Sequence, residues 1–392
     1  MEAADQQRTH DGRLERAPEI AGIPLGNRNP EGAEVIAPNE VTPALRRAIA
    51  ELAQQRSEKH NYPLTHLWTR RLKAMLKWVI GWDRKPEAEK RRLRRLYHLP
   101  RTLSGAYQAA MADPIVGFEA FRNLTDKAWI DTIIKSLSTP IIEGVRFAGF
   151  PDEPFKKGSG FIVTTDALRD AGQFYCQVKK YVRARSVSIS NARMLDFGIG
   201  WGRHARFFAR DTKFGNIYGV DVWPLMIELC RTSMVPASVS LIEPFGRLPY
   251  RDQFFDIVYA YSVFTHLPEI MADHWLKEIR RVMRPGGLII ITVNPPRFVD
   301  FCHSIPADDA LLWHQALRDA IARVPDAEAR VRAGEFLYLP TGGGGMLTNE
   351  IYGDAVIPEA YIRKHWTDHF DLIDYLDNPQ QFRAVVVLQN TY

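Results

Sequence analysis

This chain predicts an α/β fold in which a seven-stranded, mostly parallel sheet carries helices on both faces and is preceded by a mainly helical region. Three observations predict it. From about residue 150, short apolar runs alternate with helical stretches, the mark of βαβ units. One of those runs ends abruptly in glycines at alternate positions, a place where backbone turns sharply from strand to helix. Before residue 145 the pattern is different: capped, basic and helical in period.

The expected strands are 193–197, 217–221, 239–242, 255–260, 288–293, 370–375 and 383–389, each a short run rich in Val, Ile, Leu, Phe or Tyr. The segment 307–333, rich in Ala, Arg and Asp, reads as a helix or pair of helices inserted between the fifth and sixth strands. Gly342-Gly343-Gly344-Gly345 reads as a mobile loop. Upstream, Val41-Thr42-Pro43 fits a helix start, and Trp68, Leu72, Met75, Leu76 and Val79 form an apolar stripe on a basic amphipathic helix. The expected organisation is a flexible lead-in at 1–40, a mainly helical region at 41–145 and the α/β domain at 146–392.

Composition narrows the class. With 392 residues, 46% of them hydrophobic and 25% charged, the chain can bury one large α/β core and an appendage. No apolar run approaches the roughly 20 residues of a spanning helix, and the first 30 residues lack the apolar stretch of a secretory signal. Cys176, Cys230 and Cys302 are scattered without metal-ligand or disulfide spacing, which fits a reducing cytoplasm. The net charge of +5 is uneven: residues 1–140 hold 23 Lys/Arg against 17 Asp/Glu, and the rest hold 28 against 29. The excess is densest at 70–101, with 12 basic and 3 acidic residues, a stretch that suits a solvated helix face, nucleic acid or an anionic membrane surface.

The chemistry-bearing stretch is Met194-Leu195-Asp196-Phe197-Gly198-Ile199-Gly200-Trp201-Gly202-Arg203. Its glycines let backbone approach a ligand, and the helix that follows offers unpaired N–H groups. A dinucleotide loop would need its third glycine at position 203, which is Arg203, so that fingerprint fails. The second strand ends in Asp221, 25 residues after Asp196, and a carboxylate at such a strand tip accepts hydrogen bonds from both hydroxyls of a ribose.

The pattern D-x-G-x-G-x-G resembles the first motif of the class I, Rossmann-like S-adenosylmethionine-dependent methyltransferases, with Asp221 matching the family's ribose-binding acid. Further segments resemble the family in the same order. They are Leu248-Pro249-Tyr250 through Phe254-Phe255-Asp256-Ile257-Val258, then Ser262-Val263-Phe264-Thr265-His266-Leu267, then Arg281-Val282-Met283-Arg284-Pro285-Gly286-Gly287. The resemblance runs from about 190 to 295, and 352–366 with 385–388 is similar to the tail of a bacterial subgroup. It implies S-adenosylmethionine as cofactor and a cofactor-binding set of Asp196, Gly198, Gly200, Gly202, Asp221, Glu243, Tyr261 and Ser262. Ile199 stands where the family commonly has cysteine, and Ile242-Glu243-Pro244 stands where it commonly has an acidic dipeptide.

Methyl transfer from a sulfonium is an in-line displacement that needs alignment more than acid–base work, and it calls for no metal. An oxygen nucleophile also needs a base. His266, just past the fourth strand at the carboxyl edge of the sheet, is the candidate; His204 reads as structural or as a contact on the cofactor side. Tyr352, Asp354 and His365 belong to a tail that either folds over the acceptor or lies on the surface, and Arg297 either pairs with an acidic group or is a solvated cation. A small molecule or saccharide is the expected acceptor, with RNA or a lipid-linked glycan as the alternative enzyme reading. A non-catalytic S-adenosylmethionine-binding partner subunit is the reading from another class.

Overall fold

The structure, a computed structural model, describes residues 118–151, 163–213, 215–343 and 347–391. The expected lead-in, the helical reading of 41–117, the basic stretch at 70–101 and Gly344 and Gly345 lie outside the described residues.

A short 3-10 turn (Phe118–Phe121) and α1 (Asp126–Lys135) lead to a small hairpin, β1 (Ile141–Ile142) with β2 (Val145–Arg146), and to the long α2 (Thr165–Ala184). The alternation follows as β3 (Met194–Phe197), α3 (Ala205–Phe208), β4 (Ile217–Asp221), α4 (Pro224–Thr232), β5 (Ser238–Leu241), β6 (Phe255–Ala260), α5 (Glu269–Val282) and β7 (Met283–Val293). Then come α6 (Arg297–Ser304), α7 (Leu312–Ile321), α8 (Ala327–Arg332) and a hairpin of β8 (Leu337–Leu339) and β9 (Asp354–Val356). Last are α9 (Glu359–His365), β10 (Asp371–Leu376) and β11 (Ala384–Gln389).

Seven strands form one sheet in the order β10-β11-β7-β6-β3-β4-β5. The five strands from β7 to β5 run parallel, and β11 is antiparallel to both of its neighbours. The chain winds outward from β3 to β5 and then returns to β6 on the other side of β3. The point of reversal, between β3 and β6, is where open α/β sheets form a ligand crevice. All seven expected strands are present, with ends shifted by a residue or so except at β7. There the strand starts at Met283 rather than 288, because Met283 already pairs with Phe255, and 284–287, with Gly286 at φ +79°, form an irregularity before the register resumes at Ile257 and Leu288.

Side chains alternate between two apolar layers, as the strand period requires. Met194, Ile257, Tyr259, Leu288, Ile290, Val385 and Val387 face the layer of α1, α2 and α4, whereas Leu195, Val258, Ile289, Ile291, Val386 and Leu388 face α5 and α9. The inserted helices α7 and α8 pack with α6, β8 and Val356 as a third cluster at the carboxyl edge.

Residues 118–146 share the first layer with the sheet, so the expected boundary near 145 lies within one packed core. Thr125 caps α1 by accepting from the Ala128 amide at 3.2 Å, and Trp129, fully buried, donates to the Phe207 carbonyl at 2.8 Å. Lys179 and Arg210, both buried, converge on Asp126, with Asp211 on the other side of Lys179 at 2.8 Å. Burial acts to raise the Asp126 carboxyl, but Lys179, Arg210 and Arg183 outweigh it and hold the group below the ordinary range. No helix among the described residues is long and apolar enough to cross a membrane.

Candidate active site

The glycine loop leaves β3 in left-handed backbone: φ is +79° at Gly198, +54° at Gly200 and +78° at Gly202. The three glycines serve different ends. A Cβ on Gly198 would lie 2.3 Å from Val263 Cγ2, and one on Gly202 would lie 2.6 Å from Val235, so both are packing glycines. A Cβ on Gly200 would meet nothing within 4 Å. Its amide donates to Asp221 Oδ2 at 2.8 Å, while Cys230 Sγ donates to its carbonyl at 3.2 Å. Ile199, at the family's usual cysteine position, packs over β4 and requires Gly219 there, since a Cβ on Gly219 would lie 2.3 Å from Ile199 Cδ1.

Asp221 stands at the tip of β4, its Oδ1 accepting from the Trp223 amide at 2.8 Å. Burial raises its carboxyl to about 6, against the pull of the Trp223, Gly200 and Val222 amides. Asp196, 1% exposed, is raised to about 8 by burial, with the Asp221 charge adding and the Tyr259 hydroxyl and Ala205 amide opposing. Its Oδ2 is buried without a hydrogen-bond partner, and so is Oε2 of Glu243, whose carboxyl burial also raises. Glu243 leaves β5 next to the β4 tip, because β4 and β5 pair in register up to Asp221 and Leu241.

Across the crevice, β6 ends and Tyr261 to His266 pass over the glycine loop. Ser262 takes φ +63°, a strained value for a side-chain-bearing residue, held by its amide donating to Thr292 Oγ1 at 2.8 Å. The Tyr261 hydroxyl donates to Asp170 Oδ2 at 2.5 Å, and its ring packs on His204 at 4.5 Å and Phe174 at 5.0 Å. His204 is buried, and burial, with the charges of Arg203 and Arg383, pushes its imidazole well below the ordinary range, so it stays neutral.

His266 is fixed by the tail. The Gly353 carbonyl lies 2.7 Å from Nδ1, and because a carbonyl only accepts, the neutral ring carries its proton there. That leaves the Nε2 lone pair on the side of the Ser262 hydroxyl, 3.4 Å away. Burial depresses the imidazole, Asp354 and Gly353 oppose, and Arg383 adds to the depression, so the ring is neutral at pH 7. Asp354, 2% exposed, has Oδ1 3.6 Å from Nδ1 and accepts from Trp313 Nε1 at 3.0 Å and Thr341 Oγ1 at 2.7 Å. Tyr352 stacks on the imidazole at 4.4 Å. The strand β9 is seated by the Ala355 amide donating to the Thr265 carbonyl at 2.7 Å, the Gly353 amide to the His266 carbonyl at 3.0 Å, and Asn294 Nδ2 to the Ala355 carbonyl at 3.0 Å.

The structure thus gathers Asp196, Gly198, Gly200, Gly202, Asp221 and Glu243 at adjoining strand tips, with Tyr261, Ser262 and His266 across the crevice. Tyr352 and Asp354 join them; His365 does not, being exposed and stacked on Tyr361 at 4.4 Å. Arg297, half-buried, pins the turn before β11, its Nε 2.8 Å from Asp377 Oδ1 and its guanidinium donating to the Gln381 carbonyl at 2.5 Å. Sequence reasoning missed Asp170, Thr292 and Arg383. The first lies on α2 and the last opens the terminal strand, and no local pattern marks either.

A doubly wound sheet whose first strand feeds a glycine loop and whose second ends in an acid defines a nucleotide-cofactor fold without the dinucleotide fingerprint. Residues 195–291 match the methyltransferase domain family. A fatty-acid O-methyltransferase of Mycolicibacterium smegmatis is 30% identical over 138 residues, which is 35% of this chain and 46% of that protein. The methyltransferase GfsG of Streptomyces halstedii is 26% identical over 180 residues, 44% of this chain and 59% of that protein. The ubiquinone/menaquinone biosynthesis C-methyltransferase UbiE of Geotalea daltonii is 31% identical over 121 residues, 29% of this chain and 50% of that protein. The chain therefore spans about half the length of these relatives. The matched segment, residues 195–291, contains most of the glycine loop together with Asp221, Glu243, Tyr261, Ser262 and His266.

Proposed function

We propose that this chain transfers a methyl group from S-adenosylmethionine to a small-molecule acceptor, with His266 as the base. The observation that carries the reading is the pairing of Gly200, open at its missing Cβ, with the Asp221 carboxylate 2.8 Å from its amide. Asp196, Asp221 and Glu243 form a cluster of carboxyl groups, two of them with a buried oxygen that has no partner. That donor set suits a cationic, hydroxyl-rich cofactor: Asp221 would hold the ribose hydroxyls, Gly200 would admit the methionine portion, and Glu243 would accept from the adenine amine. Bound there, the cofactor supplies an electrophilic methyl on a cationic sulfur.

The chain's own residues do the rest. Ser262, held in its strained turn by Thr292, and Tyr261, held by Asp170, would wall the crevice between cofactor and acceptor. His266, with its Nδ1 proton committed to Gly353, would take the acceptor's proton at Nε2 as the nucleophile forms its bond. Asp354 would stabilise the imidazolium that results, from 3.6 Å. The third apolar cluster and β9 would cover the acceptor, and a small molecule fits that cover better than a polymer does. The names of the relatives, which include a fatty acid and quinone biosynthesis, agree with a small-molecule or lipid acceptor rather than a saccharide.

The test is to incubate the purified protein with methyl-labelled S-adenosylmethionine and host extract separated into small-molecule, lipid, glycan, RNA and protein fractions. Label is expected in the small-molecule or lipid fraction, and a His266→Gln variant should lose it. Label confined to RNA or protein would overturn the acceptor class. Cofactor binding without transfer to any fraction would favour a non-catalytic partner subunit.

A further inference from the structure

Two guanidiniums lie against the Tyr261 ring, Arg203 with Cζ 5.2 Å from its centroid and Arg383 with Cζ 5.5 Å. Burial lowers the proton affinity of Arg203 and the charge of Arg383 adds to that, while Tyr261, Asp170 and Asp196 oppose. Among the described residues neither guanidinium makes a hydrogen bond or ion pair, and Nε of Arg383 is buried with no partner.

Elsewhere the chain matches its buried and half-buried cations. Arg206 donates to the Gly202, Ala148 and Gly149 carbonyls, Lys179 and Arg210 meet Asp126, and Arg297 meets Asp377. Asp170, whose charge acts on Arg203, already accepts from the Tyr261 hydroxyl. Two half-buried guanidiniums side by side, with no hydrogen-bond partner among the described residues, are stabilised by an anion that completes the site.

We propose that Arg383, with Arg203 beside it, binds a carboxylate of the methyl acceptor, which makes the acceptor a small organic acid. The proposal rests on the methyl-transfer reading above. The charge of Arg383 acts on His266, His204 and Tyr352, and the residue immediately precedes β11, with three strands between β11 and β4, whose tip carries Asp221. A guanidinium fork matches a carboxylate in two parallel hydrogen bonds. Beside it, Phe382, 43% exposed, joins Phe298, Phe301 and Trp313 in an aromatic cluster suited to the apolar body of such an acid.

The test titrates benzoate against benzamide, and octanoate against octanamide, into the full chain by calorimetry, with and without saturating S-adenosylhomocysteine. The wild type should bind the carboxylate of at least one pair about tenfold more tightly than its amide, as a charge-assisted pair predicts. Arg383→Gln should erase that preference while leaving S-adenosylhomocysteine affinity within about twofold, and Arg383→Lys should keep part of it. Three results would overturn the proposal: no preference in either pair, a preference undiminished in Arg383→Gln, or a loss of S-adenosylhomocysteine affinity in that variant. The last would assign the guanidinium to the cofactor's own carboxylate. A wild type that shows the carboxylate preference but binds no S-adenosylhomocysteine would sink the methyl-transfer reading and leave the acid site standing.

Discussion

The two walls of the crevice are built in opposite ways. The wall of Gly198 to Gly202, Asp221 and Glu243 comes from consecutive strand tips, and its central contact, the Gly200 amide to Asp221, spans 21 residues. The facing wall is assembled from remote parts of the chain: 87 residues separate His266 from Gly353, and 91 separate Tyr261 from Asp170. A constant cofactor can be held by a fixed local motif, while the acceptor side draws on an insertion and the terminal strands, where loops tolerate change. The contrast predicts that damage to one wall leaves the function of the other intact.

The largest expected effect is on the remote wall. His266→Gln keeps a hydrogen-bonding side chain but removes the base, and turnover at saturating substrates should fall roughly 100-fold or more. S-adenosylhomocysteine affinity should stay within about twofold of wild type. An unaltered rate would remove His266 from the chemistry, and a parallel loss of cofactor binding would break the division between the walls.

Next in size is the local wall. Asp221→Asn should weaken S-adenosylhomocysteine binding by about 2 kcal/mol, roughly 30-fold, the loss expected of a charge-assisted pair. Its pH dependence sharpens the point. The free carboxyl titrates at about 6, and its ionised form is the better acceptor for ribose hydroxyls, so binding should release a proton. Affinity should rise about tenfold per pH unit below 6 and level off above it, and Asp221→Asn should flatten that slope. A slope unchanged in the variant would assign the titration to another group, with Asp196 the nearest.

A comparable effect is expected in the fold beneath both walls. Asp126→Asn removes the acid on which buried Lys179 and Arg210 converge, and should cost about 2–3 kcal/mol in denaturant unfolding. Because the folded carboxyl lies below its unfolded value, its contribution is present above the unfolded range and is lost as pH falls through the folded one. The wild type should therefore lose its advantage over the variant in acid; an advantage constant down to pH 3 would contradict the ion network. The smallest effect is expected at Arg297→Ala, which frees the turn before Arg383 and should raise the acceptor KM about fivefold without touching the cofactor, the scale of one displaced hydrogen bond.

Much of this architecture is legible in the sequence, and the division between the walls explains which part. Parallel strands buried on both faces read as apolar runs, so 217–221 and 255–260 coincide with β4 and β6. Glycines at alternate positions and an acid 25 residues on are local marks, and Gly200 and Asp221 do meet. The hairpin of β8 and β9 escapes such reading because each strand has three residues and some 14 residues part them. Asp170 and Arg383 carry no pattern at all. Their placement depends on α2 and β11 packing against the same end of the sheet, a tertiary fact that no window of sequence contains.

The most direct test of the two-wall account is calorimetric titration of S-adenosylhomocysteine into wild type, Asp221→Asn and His266→Gln side by side. Affinity near wild type is expected for His266→Gln and roughly 30-fold weaker affinity for Asp221→Asn. Equal binding by Asp221→Asn and wild type, or a matching loss in His266→Gln, would contradict it.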